Sequence, residues 1–207
     1  MKTTTVKTTR YTTDLGVELN FKPANDEDVI VAENNGKLYV RYLVRDDNAQ
    51  SPEENQDDGL FLVNYHRNFE VCKDSIITKE DVQNYYCGSL KVQQQKKYWL
   101  FKLNVYIHSG VVLGLAPTNF PDESWDVSHV GLVLVTKKEW KTEAKAREAA
   151  KSLVNEWNQY LSGDVWGMCT DVFDLKTQEL LIKDSETVWG CYDYQECLKQ
   201  LKIESET

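Results

Sequence analysis

The sequence predicts an α+β fold in which a mostly antiparallel sheet packs against one long amphipathic helix at about residues 137–161, with short helices beside it. Strand-like segments outnumber helical ones, and they do not alternate regularly with helices as they do in parallel α/β folds. One long segment instead repeats its apolar residues at the helical period. We expect a single α+β domain over residues 36–203, preceded by an edge strand or flexible lead at 1–35 and followed by an acidic tail at 204–207.

Alternating apolar and polar residues predict the strands of the first half. Residues 36–44, GKLYVRYLV, have the pattern of a half-buried strand, and 60–66, LFLVNYH, form a second one. Between them, residues 45–59 combine many carboxylates with Ser-Pro and a final glycine, which predicts a solvated loop. Residues 98–107 and 111–116 flank a three-residue turn and predict a hairpin.

Capping residues mark the predicted helices. Thr78 is the candidate N-cap of a helix at 78–86. Thr136 and Glu139 have the spacing of a capping box at the start of the long helix, and Gly163 follows its end. The apolar stripe of the long helix consists of Ala146, Ala149, Leu153, Trp157 and Tyr160.

The C-terminal part predicts a meander of three strands at 164–173, 178–183 and 187–192. Val-Trp-Gly occurs in the first and the third strand, so we expect Trp166 and Trp189 to lie level across the middle one. The glycine next to each tryptophan leaves room for a close approach. Two interpretations stay open, an aromatic core pair and a platform that binds a partner.

The charge of the chain indicates which partners it favours. Its 207 residues include 33 acidic and 24 basic side chains, a net charge of -9. Such a field favours basic partners and repels phosphate backbones, and no basic stripe is apparent, so we expect no direct nucleic-acid binding. The five cysteines form no C-x-x-C pair. Without a signal-like N-terminus or an apolar run near the roughly 20 residues of a membrane span, we expect a soluble cytoplasmic protein and no membrane contact.

The histidines are the main candidates for a chemical site. His66 closes one strand and His108 follows another, while Asp126 and His129 flank the start of a third. If these strand ends are neighbours, His66, His108 and Asp126 supply the two imidazoles and one carboxylate of a metal site, as in a metal-dependent hydrolase of nucleic acid or nucleotides. No H-E-x-x-H, G-x-S-x-G or phosphate-binding glycine motif is present. The leading prediction is therefore no catalytic residue, no metal and no cofactor.

Four segments resemble the motifs of a family of small phage and mobile-element proteins. SPEENQDDGLFLVNYHRNFEV is similar to SPREWDNLGTMVCWHRRYNLGD, and LNVYIHSG with WDVSHVGLVLVTKKE is similar to LYLYDHSG with WDSGQVGFIYVSKE. WNQYLSGDVWG resembles YDQYLTGDVYG, and TVWGCYDYQECL resembles SCWGFYG. The segments follow in the same order over about residues 50–195. His129 departs from the pattern because the family usually has glutamine there, which weakens a three-histidine metal site.

The resemblance implies a mobile-element origin, for which an anti-CRISPR or antirestriction role is expected. Together with the charge of -9 it predicts a phage-encoded acidic binding protein that docks on the basic nucleic-acid-binding surface of a CRISPR effector or restriction nuclease in the host cytoplasm. A phage replication accessory factor fits the resemblance equally, and the oligomeric state stays open. The candidate binding residues are His66, Arg67, His108, Trp125, Asp126, Asp164, Trp166 and Trp189.

Overall fold

A computed structural model of the chain describes residues 11–12, 16–53, 59–71, 76–88, 93–121 and 126–205. These residues form two compact units. The terminal unit comprises residues 1–49 and 163–207, and the central unit comprises residues 50–162. The α+β class is confirmed, with two larger antiparallel sheets where the sequence predicted one. The predicted domain boundaries at residues 35 and 203 do not coincide with the division into units.

A four-stranded antiparallel sheet organises the terminal unit, in the order β11-β10-β4-β3. Its strands are β3 (Ile30–Asn34), β4 (Lys37–Arg45), β10 (Val165–Asp174) and β11 (Glu186–Tyr192). Two shorter strands, β1 (Tyr11–Thr12) and β2 (Glu18–Leu19), pair with each other. The central pair is β4 with β10, in register from Arg45 opposite Trp166 to Lys37 opposite Asp174. Strand β3, which lies within the predicted N-terminal segment, forms one edge of this sheet.

Each face of this sheet has its own apolar cover. Helix α3 (Tyr194–Ser205) packs Leu198 and Leu201 against Leu43 and Met168 on one face. The other face has a different set of buried side chains, contributed by the segment before β3 and by β4 and β10. That set is Val17, Leu19, Leu38, Val40, Tyr42, Cys169 and Phe173. Successive side chains of β10 point alternately into these two apolar clusters, because neighbouring side chains of a strand point to opposite faces of the sheet.

The predicted meander is wrong in its middle strand. Residues 178–183 contribute one isolated bridge, between Leu180 and Phe173, and β11 pairs directly with β10. The Asp174 carboxylate accepts hydrogen bonds from the N–H groups of Lys176 and Thr177, both at 2.9 Å, so a tight turn follows β10 at once. This turn chemistry ends the ladder before a middle strand can extend.

Five antiparallel strands form the sheet of the central unit, in the order β6-β5-β9-β7-β8. They are β5 (Leu60–His66), β6 (Phe69–Val71), β7 (Tyr98–Ile107), β8 (Val111–Leu115) and β9 (Val127–Thr136). The predicted strand at 60–66 and the predicted hairpin of β7 and β8 are confirmed. Residues 131–135 of β9 are buried, because this strand lies at the centre of the sheet.

The two α-helices in the described part of the central unit each begin at a threonine cap. Helix α1 (Lys79–Tyr86) has the predicted cap, in which Thr78 and Asp81 bond reciprocally to each other's backbone N–H. Helix α2 spans Glu143–Ser162, so its predicted start at 137 is wrong. Thr136 still pairs with Tyr98 in the sheet, and Thr142 caps the helix by accepting from the Lys145 N–H at 3.4 Å.

The buried side of α2 joins the main core of the central unit. Its buried residues are Ala146, Ala150, Leu153, Val154 and Trp157. They share one apolar cluster with residues of β5, β7, β8 and β9, including Leu62, Phe101, Leu113 and Val133. No helix in the described part of the chain combines the length and apolar character that crossing a bilayer requires.

One buried carboxylate ties the terminal unit together. Asp171 of β10 is 1% exposed and accepts hydrogen bonds from the Asn20 N–H at 2.8 Å, the Asn20 side-chain amide at 2.7 Å and the Tyr42 hydroxyl at 2.7 Å. Burial and the bond to Asp171 raise the pKa of Tyr42, so this hydroxyl keeps its proton and donates it. The segment at residue 20 is thereby fixed to the centre of the sheet.

We expect Asp171→Ala to lower the free energy of unfolding by roughly 2–4 kcal/mol, because the buried Tyr42 hydroxyl and two part-buried N–H groups of Asn20 would lose their acceptor. Urea unfolding followed by tryptophan fluorescence measures this. The control is Asp184→Ala, which breaks the half-exposed 3.0 Å ion pair with Lys37 and should cost less than about 1 kcal/mol. Equal losses in the two variants would contradict the assigned role of Asp171.

Candidate functional site

The candidates His66 and Arg67 lie in the tight turn that joins β5 to β6. His66 is paired with Phe69 across this turn, and its Nδ1 accepts a hydrogen bond from the Asn68 N–H at 3.1 Å. Arg67 is exposed at the tip of the turn. The ring nitrogen of His66 therefore stabilises the turn, which is the structural role that a histidine at a strand end commonly has.

His108 and Asp126 come together where β7 ends and β9 begins. The Asp126 carbonyl accepts a hydrogen bond from the Ile107 N–H at 3.0 Å, and its carboxylate lies 3.6 Å from His108 Nδ1. The side chains are 71% and 34% exposed, so solvent screens their attraction and the pair adds little stability. Trp125, the neighbouring candidate, lies outside the described residues.

The alternative metal site requires His66, His108 and Asp126 to converge. Among the residues that the structure describes, no group of three His, Cys, Asp or Glu side chains is arranged to hold a metal ion. Of these three side chains, His108 and Asp126 lie next to each other, with the His108 Nδ1 3.6 Å from the Asp126 carboxylate. The remaining histidine, His129, places its Nδ1 2.8 Å from the side-chain oxygen of Asn104.

A polar cluster that the sequence patterns do not predict lies within the central sheet. The Tyr86 hydroxyl lies 2.8 Å from the Leu103 carbonyl and 2.9 Å from the Gly131 carbonyl, and burial raises the pKa of Tyr86. Asn64 is fully buried, and its amide donates to the Phe69 carbonyl. A lone asparagine inside the apolar run LFLVNYH was the available signal. Because the protein's own backbone carbonyls accept these hydrogen bonds, the cluster fixes α1 and the β5–β6 turn on the sheet.

Asp164 and Trp166 are brought together at the start of α3. The Asp164 carboxylate accepts hydrogen bonds from the Trp166 indole N–H and, at 3.1 Å, from the backbone N–H of Tyr194. The rings of Trp166 and Tyr194 meet edge to face with centroids 4.8 Å apart. Asp193 caps the helix by accepting from the N–H groups two and three residues ahead. Asp164 and Trp166 therefore anchor α3 to the sheet.

Trp189 of β11 forms an exposed aromatic pair with Phe21. The two rings meet edge to face with centroids 5.4 Å apart, and 45% of Trp189 and 39% of Phe21 remain exposed. The indole lies over Gly167, where a Cβ atom would be 2.5 Å from two ring atoms. The next residue, Gly190, donates its N–H to the Asp46 carboxylate at 3.2 Å. We call Phe21 and Trp189 the aromatic pair.

The prediction that Trp166 and Trp189 lie level across a middle strand is wrong. Trp166 packs with Tyr194 beneath α3, whereas Trp189 covers Gly167, the residue after Trp166. Because adjacent residues of a strand point to opposite faces, the two indoles lie on opposite faces of the sheet. Trp166 therefore belongs to the core, and Trp189 belongs to the surface.

Acidic side chains are concentrated in the terminal unit. Its residues include 18 acidic and 11 basic side chains, a net charge of -7, whereas the central unit has 15 and 13, a net charge of -2. The aromatic pair therefore lies on the unit that carries most of the negative charge.

Comparisons with family models, with curated proteins and with solved structures give no match for this chain. The resemblance to phage and mobile-element proteins accordingly stays a prediction.

We expect Gly167→Ala to displace the Trp189 ring and to lower the free energy of unfolding by roughly 1–3 kcal/mol, the usual cost of overpacking. Combining it with Trp189→Ala should remove most of this extra loss, because the smaller side chain vacates the space. A double-mutant cycle by urea unfolding measures the coupling. The control is Gly110→Ala, since an added Cβ there meets nothing within 4 Å. Strictly additive losses at Gly167 and Trp189 would contradict the contact.

We expect Tyr194→Phe to change how stability depends on pH. The Tyr194 hydroxyl donates to the Asp28 carboxylate at 2.6 Å, and this bond holds the pKa of Asp28 below its ordinary value of 3.8. A carboxyl whose pKa is lowered on folding stabilises the protein above its unfolded pKa, and this contribution disappears as pH falls through the folded pKa. The stability difference between wild type and variant should therefore be largest near neutral pH and shrink in acid below pH 3.8. Urea unfolding at several pH values checks this, and a difference that is constant with pH would contradict it.

Proposed function

We propose that the chain is a binding protein, without a catalytic step of its own, whose terminal unit docks on a basic protein surface. The observation that carries this proposal is the exposed aromatic pair on a unit with a net charge of -7. Tryptophan is among the residues that contribute most to the stability of protein interfaces, and complementary charge surrounds such anchors in many complexes.

The aromatic pair is ordered before any partner arrives. Trp189 is held between Phe21 and Gly167, and the Gly190 N–H bond to Asp46 fixes the backbone beside it. A side chain that is already immobilised loses less conformational entropy on binding. The aromatic pair therefore has the properties of an anchor that inserts into a pocket of a partner.

The negative charge of the terminal unit favours association with partners whose surface is basic. A net charge of -7 on one unit attracts basic surfaces and accelerates their association, with a strong dependence on ionic strength. Surfaces that bind nucleic acid are rich in Lys and Arg because they neutralise phosphates. An acidic protein competes for such a surface by occupying it.

The partner class follows from the resemblance to phage and mobile-element proteins. We propose that the partner is a host-defence protein, a CRISPR effector or a restriction nuclease, and that the chain acts in the host cytoplasm. Blocking the nucleic-acid-binding surface of that partner would protect the mobile element. The support for this step is the resemblance together with the charge of the terminal unit.

We expect a pull-down from bacterial host lysate at about 50 mM salt to capture a nuclease or CRISPR subunit, and capture at 500 mM to fall sharply because salt screens the attraction. With the purified partner, Trp189→Ala should weaken binding about 30-fold or more, corresponding to about 2 kcal/mol for a buried anchor. The matched control is Ile182→Ala, which shortens another exposed apolar side chain of the same unit.

The functional readout is inhibition of DNA cleavage by the captured nuclease. Wild type should inhibit and Trp189→Ala should not, whereas Ile182→Ala should behave as wild type. Capture of replication proteins in place of a nuclease would support a replication accessory factor instead. Recovery of neither class, or capture that Trp189→Ala leaves unchanged, would overturn the proposal.

A further inference from the structure

Two segments of the central unit, far apart in sequence, place their lysines side by side. The Lys137 N–H donates to the Lys97 carbonyl at 2.8 Å, and the Lys137 ammonium donates to the Gln95 carbonyl at 2.7 Å. Tyr98 and Thr136 pair directly at the same end of the sheet. The turn before β7 and the turn after β9 therefore form one continuous surface.

This surface is basic although the chain is acidic. Residues 95–97 and 136–147 contain seven basic and two acidic side chains, a net charge of +5 against -9 for the whole chain. We call these two segments the basic surface. Its basic residues are Lys96, Lys97, Lys137, Lys138, Lys141, Lys145 and Arg147, and its acidic residues are Glu139 and Glu143.

Aromatic rings are interleaved with these cations. The Lys137 ammonium lies 4.4 Å from the centre of the Trp99 ring, and the Arg147 guanidinium lies 4.8 Å from the centre of the Phe101 ring. Cation–π contacts of this kind hold a basic side chain in place while it stays charged. The basic surface therefore presents part of its charge from fixed positions.

A shallow, open groove of about 650 Å³ lies at the first turns of α2 beside these cations. It is lined by Trp140, Ala144, Lys145, Arg147, Glu148, Ala149 and Ser152. Glu148, the acidic side chain of this lining, forms an ion pair with Lys151 at 2.8 Å. Half-buried Trp140 contributes an aromatic side chain to the wall of the groove, and Lys145 and Arg147 contribute positive charge.

We propose that the basic surface binds single-stranded nucleic acid, with phosphates on the lysines and an unpaired base against Trp140. A positively charged groove that follows the backbone, combined with an aromatic side chain on which a base stacks, is how proteins bind single strands without sequence preference. A duplex hides the faces of its bases, and a polymer of carboxylates such as polyglutamate offers no ring to Trp140. The combination of cations with an aromatic wall therefore favours a single strand.

The expectation from the sequence of no direct nucleic-acid binding rests on the net charge of the chain, and this proposal reverses it because the net charge does not oppose local binding. At physiological salt the Debye length is about 8 Å, so carboxylates farther away are largely screened and the local charge determines the attraction. This inference does not depend on the proposed function, because it concerns the central unit and a ligand of opposite charge.

Fluorescence anisotropy with a labelled 20-nucleotide oligo(dT) and the full chain tests the proposal. We expect saturable binding at 50 mM salt that weakens about 50-fold at 200 mM, the change for a single strand with about four phosphates neutralised. The triple variant Lys138→Glu, Lys141→Glu and Lys145→Glu should bind at least tenfold more weakly. Its matched control reverses three exposed lysines of the terminal unit, Lys22, Lys176 and Lys183, and should retain most of the affinity.

Trp140 is tested separately from charge. An abasic oligomer of the same length should bind about 5- to 100-fold more weakly than oligo(dT), the contribution of one stacked base, and Trp140→Leu should weaken oligo(dT) but not the abasic oligomer. Circular dichroism verifies that the variants fold. If Trp140→Leu does not fold, the comparison of the abasic oligomer with oligo(dT) on the wild-type protein still tests the contribution of stacking. Absence of binding, equal losses in both triple variants, or equal affinity for duplex DNA or polyglutamate would overturn the proposal.

Discussion

The pairing of β4 with β10 is the contact on which the terminal unit depends. It joins residues 37–45 to residues 165–174 and so spans the 113 residues of the central unit. Closing a flexible loop of that length would cost about 4 kcal/mol beyond a constant. Order within the central unit lowers this cost, because the free connections shrink to the few residues between Arg45 and Gln50 and between Ser162 and Trp166. Buried Asp171 of β10 then fixes the earlier segment at Asn20 to the same strand pair.

Local sequence signals predicted the elements that depend on local interactions. The alternation in β4 and β5 and the Thr78 cap of α1 were sufficient because each involves neighbouring residues. The start of α2 was predicted too early, since the capping pattern at Thr136 competes with its pairing to Tyr98, a contact nearly forty residues away. The missing middle strand has the same origin. Which strand lies beside β10 is determined by the whole sheet, and the residues of 178–183 carry no information about it.

The candidate site shows the same division between local and distant contacts. The Val-Trp-Gly repeat predicts equivalent positions for Trp166 and Trp189, but their different surroundings arise from partners elsewhere in the chain. Tyr194 and α3 bury Trp166, while Phe21 supports Trp189 at the surface. The histidines illustrate the opposite case. A turn of three or four residues is enough to engage His66 with its own backbone, so a structural role could be inferred locally.

The net charge of the whole chain says little about the charge of any one surface. The net charge of -9 is the sum of -7 on the terminal unit and -2 on the central unit, and within the central unit the +5 of the basic surface is offset by -7 on the other residues. Because electrostatic attraction in salt extends only about 8 Å, a ligand responds to the side chains within that distance and not to the average. Five of the seven basic side chains of this surface lie within residues 136–147, and the β7–β9 pairing adds Lys96 and Lys97 from a distant segment. Under the two proposals, the terminal unit would bind a basic protein surface and the central unit would bind a nucleic-acid strand, and each contact would weaken separately as salt is raised.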